Sequence, residues 1–142
     1  MRAVHHAFTL LEMAMALAAM AIVAAFAMPS WHAQVARSHR VEAVTALYRA
    51  AQFVDTQTSV PAALPTGIDQ APPTGPPVYH LRLLAADESN GGYAIEALPE
   101  FAGPMRDDTC GTFTLDATGA RGNRPVGADA AASLTENCWR GR

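Results

Sequence analysis

Residues that could do chemistry fall into three groups. Glu12 is the single charge in the run Phe8 to Met28, FTLLEMAMALAAMAIVAAFAM, which holds no Gly and no Pro. Cys110 and Cys138 are the only cysteines, both far beyond that run. Arg121, Arg124, Arg140 and Arg142 crowd the last stretch and outnumber Asp129 and Glu136 there. The first group could pair with a cation inside an apolar setting, the second could close a disulfide, and the third could touch phosphates. Other candidates are weaker. His5 and His6 precede the run, and His32 and His39 are roughly 10 Å apart along a helix, too far to bind one metal. Asp107, Asp108 and Asp116 lack an EF-hand-like spacing and read as a solvated turn rather than a calcium site. No Ser/His/Asp arrangement, Gly-rich phosphate loop or nucleophile elbow occurs. The chain is therefore read as no enzyme: no catalytic residue, no cofactor, no metal.

The elements that would position these groups follow from pattern. At about 1.5 Å of rise per residue the run makes a helix about as long as a bilayer's hydrocarbon core is thick. A carboxylate inside it costs about 2.5 to 3.5 kcal/mol on insertion scales and needs a partner. Within the run no Arg, Lys or His supplies one. A new amino terminus cut between Ala7 and Phe8 would, because positions i and i+4 share a helix face. A secretory signal peptide is the competing reading, but its apolar core would be shorter and free of acid.

After Pro29 a helical pattern resumes to residue 55. Val41, Val44, Tyr48 and Ala51, widened by Leu47 and Val54, form an apolar stripe suited to packing on a sheet, with Arg37, Arg40, Glu42, Arg49 and Gln52 elsewhere. Pro29 cannot donate its i to i−4 hydrogen bond, so a kink or a short break is expected there. Residues 56–77 hold six prolines and two glycines, which exclude regular structure and read as an exposed loop. Three strand signals follow. Tyr79, Leu81 and Leu83 alternate with His80 and Arg82; Tyr93, Ile95 and Ala97 alternate with Glu96; Phe113 and Leu115 alternate with threonines. Asn90-Gly91 marks a hairpin between the first two. These signals predict an α+β chain, a long amino-terminal helix packed on a small antiparallel sheet.

Bulk properties bound the rest. Net charge is −3 and every basic residue is an Arg, so the chain as a whole is no polyanion binder. Two cysteines beyond a membrane segment suit an oxidising compartment, where a disulfide would contribute about 3 kcal/mol; two free core thiols are the alternative.

A short leader MRAVHHA, then FTLLE opening an apolar helix, resembles a type IV prepilin of the IVa class. GGYAIEALP, DDTCGTFTLDATG and the closing Cys138-Trp139 are similar to the carboxy-terminal pattern of PilE-type minor pilins. Ala7 stands where the family usually has Gly. The resemblance implies a leader at 1–7, an assembly helix at 8–29 and a periplasmic pilin domain at 30–142, made of a helix to 55, the loop 56–77 and a sheet with a disulfide loop. A prepilin peptidase would cut after Ala7 and methylate Phe8. Glu12 would neutralise the Phe8 amine of a neighbouring subunit, and Pro29 falls where such helices carry a proline. Implied partners are other pilin subunits, the peptidase, the inner membrane and the pilus assembly platform, with the subunit extracellular once assembled. The implied function is a minor pilin serving pilus assembly, adhesion or twitching motility. Two other readings remain: a DNA-uptake pilin touching DNA through Arg121, Arg124, Arg140 and Arg142, and a type II secretion pseudopilin.

Overall fold

The computed structural model describes residues 8–125 and 132–141, so the leader with Ala7, and Arg142, lie outside the described residues. A helix, α1 (Leu10–Asp55), is followed by five strands: β1 (Gln70–Ala71), β2 (Tyr79–Leu84), β3 (Ala94–Pro99), β4 (Thr112–Asp116) and β5 (Arg121–Arg124). They form one antiparallel sheet in chain order, and a short helix, α2 (Ala132–Trp139), comes last. This is the expected α+β arrangement, with two strands and a helix that pattern alone did not reveal.

The chain divides into two compact units, Met1–Val35 and Ala36–Arg142. In the first, Thr9 opens the helix: its Oγ1 accepts the Glu12 N–H at 3.2 Å, an N-cap that satisfies one orphan donor. Glu12 falls in the first turn, where the helix dipole favours a carboxylate. By length and composition α1 could cross a membrane, and in this first unit its large apolar side chains are bare; Leu10 is 91% and Phe26 79% exposed. The short break considered at Pro29 is absent, because α1 is continuous through that position. A proline removes one i to i−4 bond, and the turns on either side carry the ladder across.

In the second unit, residues 36–55 of α1 share one core with the sheet. Ala43, Ala46, Leu47, Ala50 and Val54 are buried with Tyr79, Leu81, Ile95, Ala97, Phe113 and Leu115. The expected stripe holds in part: Leu47 and Val54 are buried and Val44 and Ala51 pack against the core, but Ala43, Ala46 and Ala50 stand where Val41 and Tyr48 were expected. Val41 and Tyr48 are 48% and 41% exposed, and the face between them and the sheet is mostly alanine. Alanine carries little apolar weight in a periodicity count, yet its small side chain lets a helix lie close against a pleated surface. Tyr48 is left at the rim, free for another use.

The loop at 56–77 is also more ordered than its prolines suggested. Gln70 and Ala71 pair with His80 and Tyr79 as an edge strand, and Ala71 precedes a cis proline. A proline-rich segment can still join a sheet where only its non-proline residues bond, at an edge. The hairpin at Asn90-Gly91 forms as expected: Asn90 is buried, its Oδ1 accepts the Asp87 and Gly92 N–H groups, and its Nδ2 donates to the Ala85 carbonyl.

Candidate functional site

The disulfide organises the carboxy-terminal end. Cys110 and Cys138 are bonded, with Cα atoms 5.6 Å apart, and both are buried. The link ties the start of β4 to α2. Beside it the Asn123 Nδ2 donates to the Cys110 carbonyl at 3.0 Å, and the Trp139 Nε1 donates to the Gly122 carbonyl at 3.2 Å, holding β5 against α2. Gly111, between Cys110 and β4, has φ +57°, and a Cβ there would sit 2.2 Å from the Arg124 carbonyl oxygen. Only glycine fits that position.

A chain of aromatic rings runs through this end. Tyr79 meets Phe113 at 6.1 Å, Phe113 meets Trp139 at 5.8 Å, and Trp139 meets Tyr48 at 6.2 Å, all edge to face. Burial raises the Tyr79 hydroxyl well above the ordinary phenol range, with nearby Asp108 adding to it and Arg40 opposing. Arg40 pairs with Asp108 at 2.5 Å and docks α1 onto the loop before β4.

The three described arginines of the four do not make one cluster. Arg121 lies over the rings of both Tyr48 and Trp139, 5.6 and 5.5 Å from their centroids, and is exposed to solvent. Arg124 turns to the opposite sheet face and pairs with Glu96 at 3.0 Å. Arg140 pairs with Glu136 on α2 at 2.5 Å, both exposed, and Arg142 lies outside the described residues. Strand alternation separates Arg121 from Arg124, since residues an odd number apart face opposite ways. What linear reading missed is the aromatic partner: Tyr48 is 73 positions from Arg121, so only folding brings a second ring beside Trp139.

Glu96 departs from expectation as well. It occupies the polar side of β3, but its side chain is only 5% exposed, held by Arg82 at 2.5 Å and Arg124 at 3.0 Å. A buried carboxylate requires such partners. The three aspartates considered as a cation site go to three separate tasks. Asp107 meets Arg106, Asp108 meets Arg40, and Asp116 accepts from Thr118 and Ala120, which lowers its carboxyl below the ordinary range. Among the described residues no group of three or more His, Cys, Asp or Glu converges on a metal position.

Phe8 and Glu12 are both exposed at the amino-terminal end, with Phe8 at 76%. An exposed carboxylate there is available to a partner from outside the chain.

The family described as "Type IV minor pilin ComP, DNA uptake sequence receptor" matches residues 29–114, more than half of the chain. Arg121, Arg124, Arg140 and Arg142 lie past the matched span. No curated protein matches. Among solved structures, a type IV pilin from Shewanella oneidensis is 21% identical, covers 68% of this chain and 98% of its own, and superposes with a TM-score of 0.45.

Proposed function

The chain belongs to the type IV minor pilin ComP family, and from that premise we propose that it is a DNA-receiving minor pilin. It enters a type IV pilus by its amino-terminal helix and presents its disulfide end to DNA. The observation that carries the reading is Arg121, a solvent-exposed cation resting on the Tyr48 and Trp139 rings. Stacking fixes the guanidinium without neutralising it, so its N–H donors stay available for a phosphate or a base edge. The matched family's description as a DNA uptake sequence receptor supports the same class of ligand.

Entry into the filament rests on Phe8 and Glu12. A peptidase cut after Ala7 would give Phe8 a free, methylated amine. The Glu12 carboxylate of a neighbouring subunit would pair with it, a contact made strong by the low dielectric of packed apolar helices. Before assembly the helix holds the subunit in the inner membrane; afterwards the domain is outside the cell, where adhesion or motility could share the same filament.

Gel shifts of the full chain in mild detergent, with a short DNA duplex at two ionic strengths, test the reading. Retention at low salt that falls steeply at high salt is expected, and Arg121→Gln should weaken it by about tenfold. If the native chain retains no DNA at low salt, the receptor role falls.

A further inference from the structure

Glu96 has more cation around it than its burial requires. One guanidinium in a two-pronged contact would satisfy a carboxylate. Here two arginines each give one nitrogen: Arg82 Nη2 reaches Oε2 at 2.5 Å and Arg124 Nη2 reaches Oε1 at 3.0 Å. Each guanidinium has five N–H donors, so most of them are not spent on Glu96. The two side chains are 57% and 62% exposed, while Glu96 is 5% exposed. The set carries a surplus positive charge at the surface with its negative charge sealed beneath.

The surroundings suit an anion. Arg82, Glu96, Thr114 and Gly122 are successive partners across β2, β3, β4 and β5. This row lies on the face opposite Ile95 and Ala97, which are buried against α1. A Cβ at Gly122 would come within 2.4 Å of the Thr114 Oγ1, so the glycine leaves that hydroxyl room. Two guanidinia held by a shared carboxylate have already lost the side-chain freedom that binding would otherwise cost.

We infer that Arg82 and Arg124, oriented by buried Glu96, form a phosphate-binding pair on the outer face of the sheet that takes the phosphodiester backbone of DNA. The inference rests on the DNA-receiving role proposed above and adds a second contact region to it. Arg121 and Arg124 stand on opposite faces of β5, so the stacked cation and the anchored pair are two separate contact regions. Thr114 would add a hydroxyl donor.

The test is the salt dependence of affinity of the full chain in detergent for a short duplex of mixed sequence. Replacing both arginines, Arg82→Gln with Arg124→Gln, should lower the slope of log affinity against log salt by about 1.8, or about 0.9 per lost phosphate contact. Affinity at low salt should fall by at least about tenfold. Because that variant strips a buried carboxylate of its partners, a second one adds Glu96→Gln and removes the stranded charge; its slope should also fall below that of the native chain. If a folded variant keeps the native slope while the native chain binds DNA, the outer-face site is refuted and the receptor role stands. If the native chain binds no DNA, both fall together.

Discussion

At the scale of single residues, several roles are set by what surrounds a side chain rather than by its type. Asp107 and Asp108 are neighbours in sequence, yet one meets an exposed Arg106 and the other a half-buried Arg40 from α1. The exposed pair contributes little, while Asp108 locks a helix to a loop. Gly111 is the sharpest case of a residue dictated by its surroundings. Its positive φ and the 2.2 Å approach of the Arg124 carbonyl leave no room for a methyl group. Gly111→Ala should therefore destabilise the domain by about 2 to 3 kcal/mol, read as a lowered midpoint in thermal or denaturant unfolding. An unchanged midpoint would mean that β5 moves away from Gly111 without cost.

Elements are joined by a few specific contacts as well as by the shared core. The end of α1 is fastened to the residue before β3 through the Tyr93 hydroxyl, which donates to the Asp55 carboxylate at 2.7 Å. Burial, then the hydrogen bond to Asp55 and its charge, push the Tyr93 hydroxyl up to about 12 from its usual 10. The protonated form is the one the fold favours. Its stabilising contribution is fully present below about pH 10 and is lost as pH rises through the raised value. Unfolding midpoints should thus fall between about pH 10 and 12, and Tyr93→Phe should remove part of that fall. At neutral pH the same variant should cost about 1 to 2 kcal/mol, because Asp55 loses its donor. A Tyr93→Phe variant with the native alkaline profile would assign the fall to other tyrosines.

As a whole molecule the chain pairs a bare apolar helix with a domain that has its own core and its own disulfide. The apolar, membrane-length window of α1 buries nothing within the described chain, so that surface awaits lipid or other helices. Glu12 separates those two destinations. In lipid it is a cost; between packed subunits, on the proposed reading, it would meet an amine. Glu12→Ala should insert into the membrane and lose the leader normally but be depleted from sheared pili by about tenfold or more, given the strength of such a pair in low dielectric. Thr9 still caps the helix in that variant, so a purely local role for Glu12 predicts normal incorporation instead. Pilus fractions probed with an antibody against the domain decide between the two.

The α+β class, the long apolar helix, three of the strands and the Asn90 turn were legible along the chain, because period, length and turn chemistry are properties of neighbouring residues. The same holds for the pairing of the two cysteines, where there was only one possible partner. What needed the fold were relations between distant positions. Alanines rather than Val41 and Tyr48 face the sheet, since closeness of approach depends on the surface being approached. β1 and β5 form because β2 and β4 offer them an edge, and neither Gln70-Ala71 nor Arg-Gly-Asn-Arg has a strand pattern of its own. The late arginines looked like one cluster in sequence, but Arg140 pairs with Glu136 of α2, and Arg121 and Arg124 face opposite sides of β5. Their partners, Tyr48, Glu96 and Arg82, come from other elements, and a charge takes its role from the groups that tertiary structure brings within a few ångströms of it.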